Sequence, residues 1–248
     1  EEVLRGLGYY WRFQPTYNRE AQLYFQRAID MDPEYADAYV WLSRSIVYAY
    51  TMRWDENRAD LEDANACIDK ALAIDGLLPQ AHAAASWVQL WSKRYEQCVI
   101  SGARAVELDP NSADARLFHS IALSITTFSG AGISEAEMCL KLNPMPSTFY
   151  FWVYGTAHMY GGNFDKAIEA MEKGIQVAPT FQPNHIFLIH SLVMANRMEE
   201  AQRSVQRYEL IYGNRLVPLR MLGPDARDRA SDWKKSLTLV GMKHQPEE

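Results

Sequence analysis

The chain is 248 residues long, 48% hydrophobic and 12% aromatic, with a formal net charge of −6. That length and apolar content suffice for a substantial core, and the acidic balance, without a dense lysine or arginine stripe, excludes general attraction to a nucleic-acid backbone. Three cysteines, Cys67, Cys98 and Cys139, are too few and too widely spaced for a disulfide framework or a zinc finger, and they read as small core residues in a reducing compartment.

A helical pattern is already present by Leu4. The chain opens on Glu1 and not on methionine, which gives the expectation of a region cut from a longer protein. Helix-ending positions follow at Pro33, Gly76, Pro110, Pro144, Pro179 and Gly213, spaced by 43, 34, 34, 35 and 34 residues. Proline stops a helix because it lacks a backbone N–H and pushes its predecessor out of the α region. Residues 94–110, RYEQCVISGARAVELDP, show the unit most clearly. Cys98, Gly102 and Ala105 fall at i, i+4 and i+7, so three small side chains share one helix face and let a neighbouring helix approach. Equivalent triplets are Ala21/Phe25/Ala28, Ala64/Ile68/Ala71, Gly132/Ala136/Cys139, Ala167/Met171/Gly174 and Ala201/Val205/Tyr208.

A period near 34 residues with two helices per period is the signature of tetratricopeptide repeats. The pattern predicts an all-α, right-handed superhelical solenoid of about six helix pairs. First helices carry bulky residues at Tyr39 and Leu42, His82 and Ala85, Phe151 and Tyr154, and His185 and Leu188; Gly161-Gly162-Asn163 and Ala195-Asn196 mark turns inside pairs. Residues 51–63, TMRWDENRADLED, read as an insertion after a lengthened first helix. Gly130 and Gly132 sit where the second helix of the fourth pair should begin, at up to ~1 kcal/mol each within a helix, so that repeat is expected to be the softest. After Pro218 and Pro224, residues 225–240 form an amphipathic helix with Ala226, Ala230, Trp233 and Leu237 on one side, the terminal cap a solenoid needs. Residues 1–223 are thus expected to be the repeat array and 224–248 the capping helix and tail of the same domain.

Residues 4–13 (LRGLGYYWRF), 21–43 (AQLYFQRAIDMDPEYADAYVWLS), the long second repeat with Trp54, 71–87 (ALAIDGLLPQAHAAASW) and 140–152 (LKLNPMPSTFYFW) together resemble tetratricopeptide regions at the C-terminal side of bacterial class III adenylate/guanylate cyclases. A similar region follows the winged-helix domain of some transcriptional activators. The resemblance implies a non-catalytic, cytoplasmic protein-interaction or regulatory module of a bacterial signalling protein, with any cyclase activity in an N-terminal domain outside this chain. Dimerisation or effector sensing in an activator, and sensing of a small ligand, are the alternative roles.

Catalytic and metal motifs are weak. His185 and His190 are five apart instead of the i, i+4 of a two-histidine helix site, and Gly130-Ala131-Gly132 lacks the strand, third glycine and lysine of a phosphate loop. No cofactor, metal or membrane partner is expected: the uncharged run at residues 117–134 is interrupted by His119, several hydroxyl residues and two glycines. In tetratricopeptide folds, positions 2, 5, 9, 12 and 13 of each first helix line a concave groove. Carried onto this sequence, they give Arg44 and Tyr48, Trp87 and Trp91, Leu117 and Ile121, Phe149, Trp152, Met159 and Tyr160, then His190 and Met194 as the candidate binding set. Positions 5 and 9 lack the lysine and asparagine of the carboxylate clamp that grips acidic chaperone tails. The apolar lining suits instead the hydrophobic face of a helix or an extended segment from a partner, a second copy or the chain's own N-terminal domain.

Overall fold

In a computed structural model, residues 1–54, 60–213, 217 and 230–243 are described, and the chain divides into two compact units, Glu1–Ala122 and Leu123–Glu248. The first unit contains α1 (Glu2–Tyr10), α2 (Pro15–Met31), α3 (Ala36–Met52), α4 (Leu61–Ile74), α5 (Pro79–Trp91), α6 (Tyr95–Leu108) and the greater part of α7 (Ala113–Thr127). The second contains a 3-10 turn at Gly130–Gly132, then α8 (Ile133–Leu142), α9 (Thr148–Tyr160), α10 (Phe164–Val177), α11 (Gln182–Met194), α12 (Met198–Tyr212) and α13 (Ala230–Leu239). None of the described helices is long and apolar enough to cross a membrane.

Every residue of the six small-residue triplets is buried, from Ala21, Phe25 and Ala28 to Ala201, Val205 and Tyr208. The close approach they permit is evident at Gly174, where an added Cβ would collide with the Asn184 side-chain amide. Asn184 donates to Thr148 Oγ1 (2.7 Å), and Thr148 donates in turn to the Gly174 carbonyl (2.9 Å), so α9, α10 and α11 meet through one buried polar chain. Ser43 makes the corresponding bond to the Ala64 carbonyl at 2.8 Å. Cys98 and Cys139 are fully buried in the stripe, and burial pushes the Cys98 thiol up to about 12.

The helix stops use more than proline. Asp32, Asp75, Asp109 and Asn143 cap α2, α4, α6 and α8 in extended conformation, and each side chain accepts the N–H two residues on, at 2.9–3.2 Å. These Asx turns hold the chain while the next first helix starts. Six residues after the stop a long side chain returns to its carbonyl: Tyr39 to Pro33, His82 to Gly76, Arg116 to Pro110 and His185 to Pro179, at 2.8–3.2 Å. His82 and His185 thus occupy a hydrogen-bonding position as well as a packing one. Since a carbonyl only accepts, their Nε2 carries the proton.

Turns inside the pairs contain one residue of positive φ each: Phe13, Arg53, Lys93, Phe128, Gly162 and Asn196, between +48° and +77°. Four of them close with a bond from residue i to i−5, such as Arg94 N to Gln89 O and Arg197 N to Leu192 O, as a helix C-terminus with a left-handed residue does. Gly130 and Gly132 belong to the 3-10 turn preceding α8, not to its body, so the expected penalty for glycine within a helix does not apply. Gly130 is needed for contact, since a Cβ there would lie 3.3 Å from Gly161 Cα in the α9–α10 turn. Helix α3 runs 17 residues to Met52, with Arg53 as its left-handed C-cap; positions 55–59 of the insertion, and Pro218, Pro224 and Ala226 of the C-terminal reading, lie outside the described residues.

The first unit has a charged centre. Arg44, 4% exposed, donates through Nη1 to Asp114 Oδ2 at 2.8 Å, linking α3 to α7. Its guanidinium lies 4.2 Å from the Trp41 ring centroid, 4.9 Å from Phe118 and 5.9 Å from Tyr10. Burial pushes the Tyr10 phenol up, and the Arg44 charge opposes that rise. Removing one partner of a buried pair strands the other, so Arg44→Ala is expected to lower stability by about 3 kcal/mol. Urea unfolding followed by circular dichroism checks this; a loss below about 1 kcal/mol would show that the pair contributes little.

Candidate protein-binding surface

The expected groove residues fall on the first helices of the pairs, and the structure covers most of them with the chain itself. Arg44, Tyr48, Trp87, Trp91, Leu117, Ile121, Phe149, Trp152, Met159 and His190 are all buried, between 0% and 8% exposed. In the isolated chain these ten side chains are packed internally and do not form an open lining. Tyr160 is half-buried against Phe128, with ring centroids 5.5 Å apart, and Met194 is 45% exposed.

In the first unit the cover comes from the α1 end and from neighbouring first helices. Tyr48 meets Phe13 at 5.3 Å and Trp54 at 4.9 Å, both edge-on. Trp87 packs edge-on against Trp91 at 5.4 Å and lies tilted against Phe118 at 5.9 Å. Such edge-to-face contacts add about 0.5–1.5 kcal/mol beyond the area they bury, which favours an aromatic inner layer over a hollow one.

In the second unit the cover is α13. Trp152 packs on Phe187 of α11 at 5.4 Å, and Phe187 meets Trp233 of α13 at 4.8 Å. Trp233 stacks on His190, with centroids 3.7 Å apart and planes 18° from parallel. Ser236, Leu237 and Met242 are buried with it, and Val217 N donates to Lys243 O at 3.0 Å. Sequence reasoning placed both His190 and the Trp233/Leu237 face, but did not join them. The available signal was the i, i+4 spacing of Trp233 and Leu237 in a helix otherwise polar.

His190 is held neutral. Burial pushes its pKa down to about 3, only partly opposed by Asp232 at the start of α13. The unfolded chain, with its histidine near 6.5, takes up a proton that the folded chain refuses, so this contribution is full above pH 6.5 and is lost as pH falls from 6.5 towards 3. His190→Phe keeps an aromatic under Trp233 without the ionisation. Its stability relative to the parent is expected to improve by about 2–3 kcal/mol between pH 7 and pH 4.5, as read from urea midpoints. A constant difference across that range would show that His190 does not titrate on unfolding.

Residues 150–181 match the family model described as tetratricopeptide repeat, a span running from α9 to the start of α11. No curated protein matches the chain significantly. Among solved structures, a thermophilic tetratricopeptide protein of Thermus thermophilus, TTC0263, is 15% identical with a TM-score of 0.60, over 77% of this chain and 97% of that one. PilF of Pseudomonas aeruginosa is 17% identical with a TM-score of 0.55, over 93% and 96%. A chain of the Cut9–Hcn1 hetero-tetramer is 12% identical with a TM-score of 0.65, over 89% of this chain and 40% of that one. At these identities the likeness speaks for the fold alone: the chain has the all-α helix-pair fold of tetratricopeptide-repeat proteins, and residues 150–181 match that repeat in sequence as well.

Proposed function

We propose that the chain is a non-catalytic protein-interaction module that receives an amphipathic helix on the first-helix face of its second unit. The observation that carries this reading is the seating of α13, whose Trp233 stacks on His190 and packs on Phe187. A face that already accepts one apolar helix stripe has the shape and chemistry for another. Met194, exposed on the same helix, extends that stripe beyond the area α13 covers. We further assign the module to a cytoplasmic regulatory role in a bacterial signalling protein, with residues 1–223 as repeat array and 224–248 as cap of one domain; this finer part rests on the resemblance to cyclase-associated repeat regions. The incoming helix then belongs to a partner, to a second copy or to an N-terminal domain of the same protein.

The test supplies the helix in trans. A fluorescein-labelled peptide of residues 230–243 is titrated into the parent chain and into its Trp233→Ala variant. The variant, with its own helix loosened, is expected to bind the peptide at least about tenfold more tightly than the parent. A peptide carrying the same Trp-to-Ala change should bind the variant at least tenfold less well. Equal binding by parent and variant, or by the two peptides, would sink the reading.

A further inference from the structure

Helix α9 presents different residues to two sides. Trp152 and Met159 belong to the buried first-helix face, whereas Tyr154 lies about 200° round the helix from Trp152 at 100° per residue. On that second side, α8, α9 and α10 enclose a cleft of about 470 Å³. Its apolar lining consists of Leu140, Phe151, Tyr154 and Ala170, the first three only half-buried. The charged lining consists of Lys141, Lys166 and Lys173 with Glu137 and Glu169, a local excess of one positive charge in a chain of net charge −6.

These charges are unequally engaged. Lys173 is tied to Glu169 at 2.6 Å. Lys141 makes no ion pair among the described residues. Glu137 is shared without being bonded: its Oε1 lies 3.7 Å from Lys166 Nζ and 4.0 Å from His158 Nε2. His158 is 1% exposed, and its Nε2 has no hydrogen-bond partner. With Asn163 Nδ2 donating to Nδ1 at 3.4 Å, the ring proton sits on Nε2 and points to the edge of the cleft where Glu137 stands. A buried donor left without a partner is unfavourable. Closing the Glu137–His158 gap would satisfy it and release Lys166 to a new anion.

We propose that this cleft binds a short acidic peptide segment of a partner protein, with an apolar side chain against Phe151 and Tyr154 and carboxylates on Lys141 and Lys166. Its length argues for a peptide. From Lys166 to Lys173 is two helical turns, ~10 Å, which three extended residues span. The site is separate from the α13 face, and its failure would leave the reading of that face intact.

The probe is a fluorescein-labelled pentapeptide, Gly-Asp-Phe-Glu-Gly amide, with a neutral twin in which Asn and Gln replace the acids. Fluorescence anisotropy at low salt reads both. The acidic peptide is expected to bind at least about tenfold more tightly than its twin, and Lys141→Glu with Lys166→Glu should cost at least another tenfold. Both lysines are exposed, so the helical circular dichroism of the double variant should match the parent; if Lys166→Glu perturbs the fold, Lys141→Glu alone decides, with at least threefold weakening expected. Equal affinity for the two peptides, or unchanged affinity in the lysine variant that remains folded, overturns the proposal. So does displacement of the peptide by 3-phenylpropionate at concentrations comparable with the peptide's own dissociation constant, which would mark the cleft as a small-acid pocket.

Discussion

The second helix of each pair is covered closely on one face because small residues recur there, as at Gly102 and Gly174. At Gly174 the neighbouring Asn184 amide already occupies the space of a Cβ, and at Gly102 an added Cβ would lie 3.0 Å from His119 Cα. Approach this close brings polar groups of adjacent helices into range, and they must then be satisfied internally. Thr148 and Asn184 do so through the Gly174 carbonyl, and Ser43 through that of Ala64. A larger residue in the stripe would separate these partners as well as overpack the contact, so packing and hydrogen bonding fail together. This coupling makes the repeat period strict.

With second helices drawn in this way against first helices, the inner residues of the first helices within each unit are brought close enough to pack on one another. Arg44 illustrates the cost. A cation 4% exposed would be strongly unfavourable alone, yet Asp114 supplies a charge partner and Trp41, Phe118 and Tyr10 supply ring contacts. Lysine would not serve equally, because a compact ammonium cannot lie flat between rings while donating to a carboxylate. The charge orders α3 relative to α7 more specifically than an apolar contact of the same size would.

Much of this was legible in the sequence, and the limits have physical causes. The period, the stops and the small-residue stripe all follow from backbone and volume rules that act within a few residues. The inner turns were legible only where their left-handed residue is glycine or asparagine, as at Gly162 and Asn196; Phe13, Arg53, Lys93 and Phe128 adopt the same conformation without a compositional sign. Position rules also placed Trp87, Trp152 and His190 on the inner face. They could not say what covers it, because covering residues come from outside the pair they cover: Phe13 from the preceding pair and Trp233 from α13. The α8–α10 cleft was not anticipated either, since Lys141, Lys166 and Tyr154 converge only once three helices are packed.

The energetics of α13 explain how one face can be both core and binding surface. Trp233 and Leu237 are its large buried apolar side chains, and at about 1.5–3 kcal/mol each they contribute roughly 3–6 kcal/mol. Ordering the ten residues of α13 costs about 10–20 kcal/mol of backbone entropy, offset by its helical hydrogen bonds at about 1 kcal/mol each and by the ring stacking on His190. The sum lies near balance, unlike that of α9, whose buried residues run through nearly its whole length. In the proposed reading, a helix so poised holds its place when nothing else is offered and yields it to one with a longer apolar stripe that also reaches Met194. Burial of His190 and Phe187 in the isolated chain is therefore compatible with their proposed use in recognition, because the helix that buries them is held near balance.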